Sequence, residues 1–356
     1  MPTVARKPAH HHTDATREVA GGVDTHKDTH TAAVVDELGR LLAHQTFPAT
    51  PAGYRALLGW LTTFGKLLIV GIEGTGSYGA GLARYLTSQQ IGLAEIDRPD
   101  RKTRRGRGKS DPIDAEAAAR AALHHPRLGI PKARDGRVEA LRNLRLARRS
   151  AVSQRADVTR QLKSLLITAP DALRERLRGL STTKLITACA GLRPDPTRAG
   201  EPEHATKIAL RTLAHRHQHL STEINQLQRH ITPLVAAINP TLLALNGVGP
   251  DTAGQLLITA GENPDRIHTE AAFAMLCGVA PLPASSGTTH RHRLNRGGDR
   301  QANAALYRLT LSRLRWHPAT QAYAQRRKTE GLSKPETIRC LKRYLAREIY
   351  TAITNP

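Results

Sequence analysis

The chain has 356 residues, with 53 Lys and Arg against 30 Asp and Glu, a formal net charge of +23, 39% hydrophobic residues and only 3% aromatic ones. At ~100–200 residues per domain this length implies two or three domains, and no apolar run approaches the ~20 residues of a membrane span. Cys189, Cys277 and Cys340 are too far apart for a CxxC pair, which excludes a disulfide framework and argues against structural zinc.

The charge balance points to a polyanionic partner, because basic side chains that neutralise phosphates release condensed counterions; a generally basic proteome is the plain alternative. Residues 1–17 read as a disordered polar tail containing His10-His11-His12, with no apolar signal segment, so a cytoplasmic location is expected. Val19–Val23, Thr31–Val35 and Leu41–Phe47 read as three strands joined by short turns, an antiparallel meander. From Pro51 to Phe64 the period changes, with Tyr54, Leu57, Leu58 and Leu61 at helical spacing. Lys66–Ile72 is a continuous apolar run, the pattern of a buried strand. A helix over Ser77–Gln89 and a strand over Ile91–Ile96 follow. Three antiparallel strands followed by parallel ones and helices is the element order of the ribonuclease-H-like fold.

Residues 97–110 form a basic loop holding Arg98, Arg101, Lys102, Arg104, Arg105, Arg107 and Lys109 among glycines. This mixture suits phosphate contacts; a solvated charge run is the other reading. Arg134 to Leu166 reads as one long Arg-rich helix, and 167–204, broken by Pro and Gly, as a connector. Residues 205–238 carry a heptad pattern, with Leu210, His217, Ile224, Ile231 and Ile238 at one seam position and Leu213, Leu220, Leu227 and Leu234 at the other. The coiled-coil partner is either the 134–166 helix or the same helix of a second subunit, and Pro233 is expected to kink or end the helix. Leu245 to Pro250 then matches the turn of a helix-hairpin-helix. There Gly247 and Gly249 would let backbone amides approach a phosphate at the next helix N-terminus, unless this is an ordinary Gly-Pro turn.

Four acids stand out. Asp24 ends the first strand and Glu73 the central one, and this fold brings such ends together. Pro112 is well suited to the first helical position, which makes Asp111 the N-cap and sets Asp114 on the same face of the first turn. Taken alone that pair is ordinary helix capping. Convergent ionised carboxylates need a countercharge. Hard Mg²⁺, or alternatively Mn²⁺, supplies it, and two ions ~3.5–4 Å apart suit phosphodiester chemistry. Asp28 and Asp36 lie beyond the strand end, Asp97 opens the basic loop and Glu116 is on another helix face, so all four are left out.

Near the C-terminus, Gly278-Val279-Ala280-Pro281 precedes Ala284-Ser285-Ser286-Gly287, and a basic stretch follows with Arg291, Arg293, Arg296 and Arg300. A serine beside glycine and backed by arginines suits attack on a phosphodiester, although Ser-Gly is also a common turn. Over residues 18–350 the chain resembles the DEDD-type insertion-sequence transposases, the bridge-RNA-guided serine recombinases of the IS110 family. The resemblance rests on five pieces in collinear order: Gly22 to Lys27, Ile72 to Tyr78, Lys109 to Ala115, the Gly247-Val248-Gly249 turn, and Gly278 to Gly287 with its basic tail.

That resemblance implies that Asp24, Glu73, Asp111 and Asp114 are the metal-binding tetrad of a RuvC-like domain. It implies that Ser286, directly before the glycine, is the nucleophile forming a phosphoserine link, with Ser285 as the alternative. It further implies a composite site built from two subunits, a homodimer or a tetramer on DNA, donor and target DNA as substrates, an element-encoded noncoding bridge RNA, and a place near the bacterial nucleoid. The expected division is a RuvC-like α/β domain at 18–133, long coiled-coil helices for dimerisation at 134–240, and a mainly helical C-terminal transposase domain at 241–356. A hydrolytic, metal-dependent RuvC-like endonuclease would need only the carboxylates, and residues 240–350 argue against it. A basic scaffold would need no acids at strand ends, and Asp24 and Glu73 argue against that.

Overall fold

The computed structural model describes residues 17–96, 110–124, 129–285, 288 and 292–355. Outside them lie the expected tail up to residue 16, the loop cations Arg98, Arg101, Lys102, Arg104, Arg105, Arg107 and Lys109, the serine Ser286, and Arg291. The chain forms two compact units. One comprises the described residues up to Gly136 together with Gly261–His268; the other comprises Arg137–Ala260 and the residues from Thr269 onward.

The first unit is built on a five-stranded sheet of β1 (Glu18–Thr25), β2 (Thr29–Asp36), β3 (Leu41–Pro48), β4 (Lys66–Glu73) and β5 (Leu93–Ile96), in spatial order β3-β2-β1-β4-β5. The β1–β2 and β2–β3 pairs are antiparallel, and the β1–β4 and β4–β5 pairs are parallel. The strand ends fall within about two residues of the sequence expectation. α1 (Pro51–Thr62) begins at Thr50, whose hydroxyl accepts from the Gly53 amide. α2 (Ala80–Ser88) starts three residues later than expected. Gly74, at φ +76°, opens a turn in which its carbonyl accepts from Ser77 and Gly79. Against α1 and α2 the sheet buries Leu57, Leu61, Ile72, Leu82 and Leu86 completely, each worth ~1.5–3 kcal/mol.

The other face of the sheet is closed by α3 (Asp111–His124), whose Ala115, Ala118, Ala119 and Ala122 form a stripe at helical spacing. Opposite them the strands offer glycine. A Cβ on Gly22 would sit 2.1 Å from the Ala119 amide nitrogen, and one on Gly71 would sit 2.5 Å from the Ala118 carbonyl oxygen. Small residues on both sides therefore let the helix backbone lie almost on the sheet.

The second unit is helical. α4 (Arg137–Ile167) and α7 (Pro202–Ile238) pack along each other, with Ala151 and Val158 against Leu220 and Ile224. Within the chain, α4 packs against the heptad positions Leu210, Leu220 and Ile224 of α7. The expected connector is itself folded: α5 (Asp171–Leu177) and α6 (Thr182–Ala190) bury Leu173, Leu177, Leu185 and Ile186 against Leu162 and Leu210. α7 does not end at Pro233 but runs through it to Ile238. Pro233 is exposed, so the carbonyl it frees can be hydrated. The helix stops at Asn239 because Pro240 forces that residue out of helical geometry.

The remaining elements are α8 (Pro240–Ala244), α9 (Pro250–Ala260), α10 (Glu270–Leu276), a short hairpin of β6 (Leu282–Pro283) and β7 (His292–Arg293), and the helices α11 (Arg300–Trp316), α12 (Pro318–Thr329) and α13 (Lys334–Thr354). Among the described residues, no helix is long and apolar enough to cross a membrane.

Candidate functional site

The parallel β1–β4 register pairs Val23 with Ile72, so Asp24 and Glu73 follow side by side at the same edge of the sheet. The Thr25 hydroxyl ties the two strand ends together, donating to the Glu73 carbonyl at 2.8 Å. The glycine–alanine contact sets the start of α3 over this edge. Its first turn closes on Ser110, whose carbonyl accepts from Ile113 and Asp114. Ser110 therefore takes the cap position expected of Asp111, and Asp111 is the first helical residue. Asp24 and Asp114 are buried, whereas Asp111 and Glu73 are half-buried.

His26 joins this group. Its Nε2 lies 3.1 Å from Asp24 Oδ2 and 3.4 Å from Asp111 Oδ1. Ligand atoms of Asp24, His26 and Asp111 all fall within 4.8 Å of one another. Oxygen ligands of hard divalent ions sit at ~2.0–2.6 Å from the metal, so donors on opposite sides stand ~4–5 Å apart, and this set fits one ion. Two carboxylates suit Mg²⁺ or Mn²⁺, and the imidazole nitrogen tilts the set toward the softer Mn²⁺. Glu73 and Asp114 are at the same end of the sheet but outside the three-residue group. The sequence reading passed over His26. The signal was its place two residues after Asp24, because alternate residues of an extended chain share a side.

Two neighbouring groups are structural. His30 is fully buried and stacked on Tyr54, with ring centroids 5.6 Å apart. Its Nδ1 donates to the Thr29 carbonyl, and burial pushes its pKa down, which keeps the ring neutral. Burial alone would raise the Asp36 carboxyl. Bonds from the Arg40 amide and guanidinium and from the Leu38 amide outweigh that and hold it below the usual carboxylate range.

In the second unit Ser285 follows β6 and is exposed, whereas Ser286 lies outside the described residues. The root of that hairpin is fixed. Asn303 donates to the Gly278 carbonyl at 2.8 Å, and the Asp299 amide donates to the Leu276 carbonyl at 2.7 Å. The Asp299 side chain caps α11 and accepts from Thr259. Arg293, Arg296 and Arg300 are exposed around this root.

The Gly-rich turn joins α8 to α9 with Gly247 at φ +77°. Gly247 faces α11, since a Cβ there would come 3.1 Å from Leu309 Cδ1, whereas Gly249 borders open space. Asp251, in the first turn of α9, binds Arg145 at 2.7 Å and Arg148 at 3.2 Å, so this helix N-terminus already carries an anion of its own chain.

Two family models match the chain. A transposase family model, DEDD_Tnp_IS110, matches residues 21–169, which include all four acids. A second, described as transposase IS116/IS110/IS902 family, matches 239–325, which include the Gly-rich turn and the serine hairpin. Together they cover about two thirds of the chain. The 43.6 kDa protein of insertion element IS110 from Streptomyces coelicolor is 32% identical over 120 residues, spanning 33% of this chain and 29% of that relative's length. With an α/β unit of mixed sheet order carrying acids at its edge and both models matching in chain order, the chain belongs to the IS110 family of transposases.

Proposed function

We propose that the protein cleaves and exchanges DNA strands as the transposase of an insertion sequence, guided by an element-encoded RNA and working through a phosphoserine intermediate. The observation that carries the metal half of this reading is the gathering of Asp24, His26 and Asp111 within 4.8 Å at the sheet edge. Bound there, with Glu73 and Asp114 beside it, a divalent cation would polarise the scissile phosphate and offset its charge. The Ser286 hydroxyl, or that of Ser285, attacks the phosphorus. A phosphoserine ester forms as one P–O bond to deoxyribose breaks, and the serine proton leaves with the departing hydroxyl. A hydroxyl from the partner strand reverses the step, so one ester replaces another and no external energy source is needed. Arg293, Arg296 and Arg300 hold the phosphate oxygens. The exposure of Ser285 and the exposed arginines around the hydrogen-bonded root of the hairpin support this role.

The test is a strand-transfer assay with the flanking RNA, Mg²⁺ or Mn²⁺, and end-labelled DNA. A protein–DNA adduct that survives denaturation and is lost in Ser286→Ala supports the reading; loss in Ser285→Ala instead names the other serine. Cleaved DNA without an adduct from any variant would replace it with metal-dependent hydrolysis.

A further inference from the structure

In the second unit, a cleft of about 1000 Å³ opens between the hairpin root and the helices α12 and α13. Most of its α12 and α13 wall lies beyond residue 325, outside both family models. α13 presents Arg339, Arg343 and Arg347 at four-residue spacing, one row along the helix. Arg326 and Arg327 face them from α12, and Arg293 from β7.

Among the described residues, three carboxylates answer these cations. Glu270 takes Arg343 and Arg347, Glu330 takes Arg326 and Arg327, and Glu336 lies 3.8 Å from Arg339. Lys342 adds a further cation, with no carboxylate partner among the described residues. Its Nζ donates to the Asn303 side-chain oxygen at 2.9 Å, and Asn303 in turn holds the Gly278 carbonyl, so the amine is aimed from the hairpin root. Burial pushes the Lys342 amine down, helped by the charge of Arg339, as expected where a half-buried cation lacks a counter-anion.

The cleft also offers aromatic faces. Tyr344 is 53% exposed and meets Tyr323 edge to face, with centroids 5.5 Å apart. Arg326 sits over Tyr323 at 5.2 Å. Cations interleaved with an exposed ring are what a single nucleic-acid strand requires, because its phosphates seek charge and its unpaired bases seek a surface to stack on. A duplex keeps its base faces stacked inside and gains nothing from Tyr344.

We propose that this cleft seats a single-stranded nucleic-acid segment, with phosphates against Lys342 and Arg339 and one base on Tyr344. The proposal depends neither on the metal centre nor on the serine chemistry. It is tested on the full chain in EDTA, by fluorescence anisotropy with a single-stranded DNA dodecamer, an RNA dodecamer and a DNA duplex at several salt concentrations. Tyr344→Ala is expected to weaken single-strand binding about tenfold and leave the duplex unchanged, with Tyr344→Phe restoring it. Lys342→Gln, which removes the charge but retains an N–H donor, is expected to lower the salt slope for single strands by about 0.7. A loss confined to the DNA or to the RNA dodecamer names the strand. Photocrosslinking of a 5-iodouracil dodecamer should label the peptide that contains Tyr344. Unchanged single-strand affinity in Tyr344→Ala, an equal loss for duplex, or crosslinks confined to other peptides would each overturn the proposal.

Discussion

The sheet edge around Asp24 and the cleft beside Tyr344 both gather charges of one sign, and they are held in opposite ways. At the sheet edge the frame is steric: alanine on glycine brings α3 so close that its first turn can only stand over Asp24 and Glu73. In the cleft the frame is electrostatic, with long cationic side chains drawn into place by a few carboxylates such as Glu270. A steric frame tolerates pH and salt but not a methyl group. An electrostatic one tolerates substitution of its neighbours but yields to acid. Among the described residues, the first region gathers mainly carboxylates and the second mainly guanidiniums and an amine.

The largest effect should come from adding one methyl to the steric frame. Gly22→Ala places a Cβ 2.1 Å from backbone and must push α3 off the sheet. Stability should fall by about 3 kcal/mol, and Mn²⁺ binding followed by calorimetry should disappear as Asp111 moves away from Asp24. A variant with unchanged melting and Mn²⁺ affinity would show that the close approach does not position the site.

Next comes Arg313, which is buried and holds Glu348 through two hydrogen bonds and the Asn246 carbonyl through a third. Arg313→Ala should cost about 3 kcal/mol in urea unfolding, since it leaves a carboxylate and a turn carbonyl without their partner. Adding Glu348→Ala should recover part of that loss; strict additivity of the two substitutions would dissolve the pair as a unit.

Glu270 tests the electrostatic frame directly. Hydrogen bonds from Arg343 and then Arg347 hold its carboxyl down to about 2. The folded value lies below the unfolded one, so this stabilisation is complete above pH ~4.5 and is lost as the pH falls toward 2. Glu270→Gln should lower stability at neutral pH by about 1–2 kcal/mol and flatten the rise in stability between pH 2 and 4.5. An unaltered acid limb in the variant would assign that limb to other carboxylates.

The smallest effect on stability, within about 0.5 kcal/mol, is expected from His26→Ala, because the ring is half exposed. Its binding effect should be larger. Mn²⁺ affinity should drop tenfold or more, with Mg²⁺ affinity falling less, since only the nitrogen donor favours Mn²⁺. Equal losses for both ions would remove His26 from the ligand set.

Much of the first unit was legible in sequence. The Lys66–Ile72 run, the three turn-bounded strands before it and the helical spacing of Leu57 and Leu61 are local patterns, and each produced its element. The acids were legible because strand ends and helix starts are local as well. His26 was missed because it lies one residue past the end of β1, although its spacing of two from Asp24 already put it on the same side of the chain. Pro233 does not end its helix, because a proline penalty depends on whether the freed carbonyl can be hydrated, and exposure is not a local property. The helices of 167–204 were hidden by their Pro and Gly content, although Leu173, Leu177, Leu185 and Ile186 supply a core of their own.

Element identity, the acids at strand and helix ends, and the basic excess follow from the sequence by itself, because periodicity, capping and charge act over a few residues. Tertiary structure decided the rest. The pairing of α7 with α4, the occupation of the α9 N-terminus by Asp251, the entry of His26 between two carboxylates and the joining of residues 278–295 to 323–347 in one cleft all link distant segments. Those contacts exist only once close packing has chosen which faces meet, and no window of sequence contains both sides of such a choice.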